Sequence, residues 1–387
     1  MHNRWGILAV LFTVRLVMAF QFQSVAAVAP LLGSTFGVGL ADIGLLIGLY
    51  FTPGIALSLP GGAIGQKFGD KSTVLAALVL MLIGQITMVL SDSWGMQIAG
   101  RLVAGAGGVL LNVQMTKMVT DWFAGREIAT AMAVFVNSWP AGIALSLLTL
   151  PTIGSGHGVV AVYLAVAALI GVGIVLLLAF YRSPPNMPAA SASSTRPDRN
   201  AVMAVIAAGA IWGLFNVGFA IIFSFGPTML VERGWSITAA GSTISIVLWI
   251  AALAVPCGGL LADRSGRPKT VLAVSCILFA LLMLAFPRSS AVVLTVIGLG
   301  LMGGLPAGAI MSLPARVLRP GTRAIGMGIF YTVYYAAMML GPVIGGAAAK
   351  WTGSVAAAFD FGALVLLACP LVLSAFNRIV APETQPA

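Results

Sequence analysis

Two arginines stand where charge is expensive. Arg15 and Arg101 each lie inside a long apolar run of the 387-residue chain. An arginine at the centre of a membrane helix costs roughly 2.5–3.5 kcal/mol on insertion scales, and such a residue faces a cavity or a partner. Arg15 falls about ten residues into the first run, or about 15 Å along a helix, near the middle of a core about 30 Å thick. Arg101, Gly105, Gly108 and Asn112 recur at helical spacing on one face, and the glycines leave room beside the charge. A guanidinium matches a carboxylate with two parallel hydrogen bonds. No acid lies comparably deep: Asp42, Asp92 and Glu232 fall near one set of run ends, Asp121, Glu127 and Asp263 near the other, and Asp360 about one turn inside the last run. An electropositive site for a small organic anion, such as a carboxylate, is therefore expected, with Arg15 as its main ligand and Arg101 assisting. The alternative for each arginine is pairing with helix carbonyls or a distant acid.

Polar and aromatic residues in other runs supply the rest of the candidate set. Asn112 shares the Arg101 face; Asn216 is near Trp212; Trp249 is mid-run; Tyr331, Tyr334 and Tyr335 cluster, and their hydroxyls can donate to an anion. Gln21, Gln23, Gln85, Gln114 and Asn137 read as interhelical hydrogen-bonding residues. His2 and His157 are the only histidines, and Cys257, Cys276 and Cys369 lie in apolar runs as small core residues. The sequence thus predicts no metal site, no cofactor and no disulfide framework. It also holds no catalytic constellation of an enzyme and no phosphate-binding loop.

The elements that must position these residues are membrane helices. Hydrophobic residues make up 60% of the chain and charged ones 8%, and the mean hydropathy is +1.06. A soluble domain carries about a quarter charged residues, so the solvent for this chain is the lipid bilayer. Twelve spans are predicted, at 5–32, 41–64, 73–91, 94–117, 127–150, 158–181, 201–230, 237–262, 270–287, 291–316, 323–349 and 354–378. The Pro- and Ser-rich stretch 182–200 reads as a linker between a six-helix bundle at 1–181 and another at 201–387. The net charge of +10 is dispersed between apolar runs, which excludes a nucleic-acid surface. With the N-terminus inside, fifteen basic residues fall on the inner side and three, Arg233, Arg288 and Lys350, on the outer side. The positive-inside rule puts both termini and the linker in the cytoplasm.

The two halves repeat. A shift of 197 residues places Phe22 on Phe219, Pro30 on Pro227, Gly44 on Gly241, Lys67 on Arg264, Gly69 on Gly266 and Arg126 on Arg323. The loop after the second span reads Gly62-Ala-Ile-Gly-Gln-Lys67-Phe-Gly69-Asp-Lys71, and that after the eighth reads Gly259-Leu-Leu-Ala-Asp263-Arg264-Ser-Gly266-Arg267. The second closely resembles the Gly-x-Leu-x-Asp-Arg-x-Gly-Arg loop of the major facilitator superfamily, and the first resembles it with Gln66 and Asp70 in place of the usual acid and base. Arg101-Leu-Val-Ala-Gly105 is similar to the Arg-x-x-x-Gly pattern of that family's fourth helix. The Gly-Pro-x-x-Gly-Gly pattern that drug/proton antiporters of the family carry in the fifth helix stands instead in the eleventh, at Gly341–Gly346.

The resemblance implies an all-α fold of twelve transmembrane helices as two six-helix pseudo-repeats. It implies secondary transport of a small solute by alternating access around a central cavity lined by the first, fourth, seventh and tenth helices. The loops at Gly62, Lys67 and Gly69 and at Asp263, Arg264, Gly266 and Arg267 would act as gates, with Asp263 as a latch. A coupling proton or an exchanged anion, a monomeric state and an inner-membrane location complete the expectation. The alternative is efflux of hydrophobic compounds by proton antiport, which the electropositive site and the fifth-helix sequence oppose.

Overall fold

The computed structural model describes residues 4–58, 60–123, 128–183, 197–318 and 322–380, and all regular structure among them is helical. Eleven helices among the described residues are long and apolar enough to cross a membrane. One of them, Val134–Phe180, runs 47 residues. As a straight helix it would be about 70 Å long, more than twice the hydrocarbon thickness of about 30 Å. It turns back at Gly158, whose φ of 78° and ψ of −179° only glycine adopts readily. Gly154 before the turn packs near Val28 and Leu31, and Tyr181 after it meets Lys71 at the other end of the bundle. The described residues therefore make twelve crossings.

We number these crossings α1 to α12. α1 is Arg4–Ala27, continued by Ala29–Phe36 after a break ahead of Pro30. α2 is Leu40–Leu57, α3 Asp70–Val89 and α4 Trp94–Phe123. α5 comprises Ile128–Val136 and, beyond Asn137, the helix from Ser138 to the turn at Gly158; α6 follows to Phe180. α7 is Arg199–Glu232, α8 Ile237–Ser265, α9 Pro268–Ala285, α10 Val292–Met311, α11 Arg323–Thr352 and α12 Ala356–Val380. Most of the stretch read as a linker, 184–196, lies outside the described residues.

Within each six-helix half the neighbours correspond. α1 packs on α5 and α3 on α4, as α7 packs on α11 and α9 on α10. The 197-residue repeat is visible in backbone geometry too: Gly69 ends the short helix Gly61–Phe68 that follows α2, and Gly266 ends α8, with φ of 85° and 61°. Left-handed φ costs any residue with a Cβ roughly 1–2 kcal/mol, so the loop glycines are fixed by the turn itself. Arg264, Arg267 and Lys67 are exposed beside them, while the Asp263 side chain lies outside the described residues.

The halves meet through α2 on α11, α5 on α8 and α1 on α7. A Cβ at Gly44 would collide with the backbone at Pro342, one at Gly48 with Met339, and one at Gly241 with Leu147. Small residues spaced four apart let helix backbones approach closely in lipid, where association rests on packing. These crossings lie toward the end of the bundle away from the termini. At that same end, but within the second half, Arg288 pairs bidentately with Asp360 at 2.7 and 2.8 Å. That hydrogen-bonded carboxylate raises the Arg288 guanidinium above its usual pKa. Cys276 and Cys369 are buried as expected, whereas Cys257 is exposed on α8.

Candidate substrate site between the two halves

Arg15 reaches from α1 to a break in α5. Pro140 has no amide proton, so the carbonyl four residues before it, that of Val136, has no intrahelical donor. The helix interrupts at Asn137. Arg15 Nη1 donates to the Val136 and Phe135 carbonyls, both at 3.1 Å, and to Ser138 Oγ at 3.3 Å. Its Cζ sits 4.7 Å from the centre of the Phe135 ring. These contacts hold one side of the guanidinium firmly.

The other side faces the gap between the halves. Arg15 Nε donates to Asn112 Oδ1 on α4 at 3.1 Å, and Asn112 Nδ2 donates to the Tyr335 hydroxyl on α11 at 3.1 Å. Arg15 Nη2 makes no hydrogen bond among the described residues, and no carboxylate there lies within ion-pair distance of it. Arg15, Asn112, Tyr331 and Tyr334 are half-buried despite their mid-depth positions. Tyr334 and Tyr335 rings lie 5.1 Å apart, and Tyr331 is 6.2 and 6.4 Å from them. The structure thus brings together five residues singled out in the sequence: Arg15, Asn112, Tyr331, Tyr334 and Tyr335.

Three others are not brought into this cluster. Arg101 is 1% exposed. Its Nε donates to the Leu46 carbonyl at 3.1 Å, Nη1 to Gln21 O at 3.1 Å, and Nη2 to Phe22 O. Its Cζ lies 4.6 Å from the Tyr50 ring centre. The break in α2 explains the Leu46 contact: ahead of Pro53 the amides of Tyr50 and Phe51 bond to Ile47 and Gly48 in tighter turns, leaving the Leu46 carbonyl free. The expectation that Arg101 assists in the site is corrected on this geometry, because every guanidinium nitrogen is used inside the first half. Asn216 spends its amide on Trp212 O, 2.7 Å away on its own helix. Trp249 is 44% exposed, alongside exposed Leu253 and Leu260, and has no ring contact with the cluster.

An aromatic wall that the sequence did not single out closes the site on one side. Phe22 of α1 lies 4.8 Å from Phe51 of α2 and stacks on Trp139 of α5 at 5.4 Å. Phe51 lies 6.0 Å from Tyr335, and Trp212 of α7 lies 6.3 Å from Tyr334. Phe22 also meets Phe223 of α7 edge-on, where Gln23 donates to the Phe223 carbonyl at 2.7 Å. Gly54 has no side chain because a Cβ there would enter the Tyr335 ring. Phenylalanines in an apolar helix carry no signal distinguishing pathway from lipid, so only their neighbours reveal them.

Toward the termini, a charge cluster ties α3 to α4. Lys117 Nζ lies 2.6 Å from Asp70 and 3.0 Å from Asp121, and Asp70 is buried. Lys71 caps the end of α6 by donating to the Leu178 and Tyr181 carbonyls at 3.2 and 3.0 Å. Burial pushes the Tyr181 phenol up to about 12.

Twelve apolar crossings in two matched halves, with a polar cluster at mid-depth between them, define a polytopic membrane transporter. The family model of the Major Facilitator Superfamily matches residues 11–236 and 203–387, and the chain belongs to that family. It is similar to the inner membrane transport protein YajR of Escherichia coli, 28% identical over 180 residues, 45% of this chain and 37% of that protein. It thus spans little more than a third of that relative's length. A hexuronate transporter of Bacillus subtilis is 21% identical over 408 residues, covering 98% of this chain and 96% of the relative. Among solved structures, a bacterial homologue of the human lysosomal transporter Spinster, in an inward-facing and unoccupied conformation, superposes with a TM-score of 0.73 at 16% identity. That superposition covers 97% of this chain and 96% of the other.

Proposed function

We propose that this transporter moves a small organic anion, such as a carboxylate, by alternating access, with Arg15 as the residue that binds its charge. The observation that carries this reading is the unneutralised guanidinium of Arg15: it is fixed on one side and open toward the gap on the other, with no carboxylate among the described residues in reach. An uncompensated charge in a low-dielectric cleft attracts an anion strongly. Tyr331, Tyr334 and Tyr335 supply hydroxyls, and the wall of Phe22, Phe51, Trp139 and Trp212 packs the remainder of the solute. The similarity to a hexuronate transporter makes glucuronate the first probe.

Coupling follows the same charge: exchange for a second anion, or entry of a proton with the substrate, keeps Arg15 compensated. The packing of α2 on α11 at the end away from the termini supports an inward-facing state, and the positive-inside count supports termini in the cytoplasm; the transporter would act as a monomer in the inner membrane. The domains at 1–181 and 201–387 would rock about the linker, with Asp263 and Lys67 in the gating loops.

The aromatic wall also suits a hydrophobic compound, which keeps proton-driven efflux as a second reading. A thermal-shift screen of purified protein against carboxylates, organic cations and neutral drugs separates the two. Stabilisation by glucuronate or another carboxylate, lost in Arg15→Gln, is expected; stabilisation by cations or neutral drugs alone would overturn the anion reading.

A further inference from the structure

The guanidinium of Arg15 has two edges on which a carboxylate can sit with two hydrogen bonds: Nη1 with Nη2, or Nε with Nη2. The first is closed, because Nη1 is held by the Phe135 and Val136 carbonyls and Ser138 Oγ. Only the Nε–Nη2 edge points to the gap. On that edge Nη2 is open among the described residues, while Nε already carries Asn112 Oδ1 at 3.1 Å. An amide oxygen therefore occupies the position that one oxygen of a bidentate carboxylate needs. The same amide, through Nδ2, holds the Tyr335 hydroxyl of the opposite half at 3.1 Å.

We propose that Asn112 is a built-in surrogate for the substrate: the incoming carboxylate displaces its oxygen from Arg15 Nε, and the displacement releases the Asn112–Tyr335 bond between the halves. This inference rests on the anion reading of the site and specifies how that site is read. Ligand occupancy and release of this one hydrogen bond between the halves are then one event, because one side-chain amide serves both, while the Gln23–Phe223 and Ser58–Thr332 bonds between the halves are not touched by it. A solute with a single acceptor atom fills Nη2 alone and leaves the bridge intact. Transport thereby selects carboxylates and other oxyanions with two adjacent oxygens over halide-like anions.

The two roles open to Asn112 predict opposite signs. A surrogate competes with the substrate, so Asn112→Ala binds the anion more tightly; a direct ligand helps it, so Asn112→Ala binds more weakly. Asn112→Asp installs a permanent carboxylate on Nε and blocks the edge. The measurement is calorimetric titration of purified wild type, Asn112→Ala, Asn112→Leu, Asn112→Asp and Arg15→Ala with acetate, malonate, benzoate, glucuronate and chloride. The alanine and leucine variants are expected to bind carboxylates about three- to tenfold more tightly than wild type, and the aspartate variant at least thirtyfold more weakly. Leucine matches asparagine in size, so it guards against a packing defect in the alanine variant. Carboxylate binding in wild type with unchanged or weakened binding in both apolar variants overturns the surrogate role and leaves the anion reading standing. Failure of every carboxylate to bind both wild type and the apolar variants overturns the anion reading, and the surrogate role with it.

Discussion

Gly44 and Gly241 lie 197 residues apart and make matching contacts in the two halves: Gly44 of α2 lies against the backbone of α11 at Pro342, and Gly241 of α8 against that of α5 at Leu147. A side chain at either position forces the crossing apart. Overpacking typically costs about 1–3 kcal/mol, enough to shift a two-state equilibrium by roughly fivefold to a hundredfold. We predict that Gly44→Leu and Gly241→Leu each open this end. In a cysteine-free background carrying Ala41→Cys, which lies at the Gly346 contact, the rate of modification by a membrane-impermeant maleimide should rise about tenfold. An unchanged rate would show that these glycines do not set the closed state.

Arg101 should behave as a structural residue. Its removal leaves the Leu46 carbonyl without a buried donor and takes one donor each from Phe22 O and from Gln21 O, which keeps Ser24 Oγ; an orphaned buried group costs about 1–3 kcal/mol. Arg101→Leu is predicted to lower the thermal midpoint in detergent by several degrees or to prevent folding. Arg101→Lys, which cannot serve three carbonyls from one planar fork, should rescue only part of the loss. Folded variant protein should keep its anion affinity within about threefold of wild type, so a calorimetric loss of affinity at full stability would return Arg101 to the site.

Pro140 is predicted to position Arg15 at a distance. Pro140→Ala restores an amide that competes for the Val136 carbonyl. The helix should gain stability while Arg15 Nη1 loses one acceptor. We expect a higher thermal midpoint and about tenfold weaker carboxylate binding, since a hydrogen bond to a charged group is worth about 1.5–3 kcal/mol. Higher stability with undiminished affinity would separate the break in α5 from substrate recognition.

The Lys117 cluster can be tested by compensation. Lys117→Met leaves Asp70 buried without its cation, and should destabilise the protein by about 1–2 kcal/mol, less than a fully buried pair because Lys117 is partly exposed. Lys117→Met with Asp70→Asn should recover most of that loss in thermal melts. No recovery would mean that Lys117 acts through Asp121 alone.

Much of this architecture can be read from residue types. Composition, twelve apolar runs and the repeat that places Gly69 on Gly266 foretell two matched halves. Arg15, the centre of the candidate site, was legible because a charge is costly in lipid by itself and no nearby acid offsets it. The pairing of Arg101 was illegible for the complementary reason. Whether a guanidinium meets substrate or carbonyls depends on breaks in other helices, here the tighter turn before Pro53, and on helix rotation that a sequence lacking strong amphipathicity does not define. The residues Asn137-Ser-Trp-Pro140 held a readable signal, since a proline frees the carbonyl four positions earlier, but its recipient is 121 residues away in the chain. Phe22, Phe51 and Trp139 look like any lipid-facing aromatics until their neighbours are known.

The most direct test of the anion site is counterflow in proteoliposomes loaded with unlabelled glucuronate and other small carboxylates, following entry of the labelled compounds. Wild type should accumulate at least one of them, Arg15→Gln should lose that accumulation by at least tenfold while remaining folded, and neutral glucose should not enter. Accumulation that survives intact in Arg15→Gln would contradict the central role of Arg15.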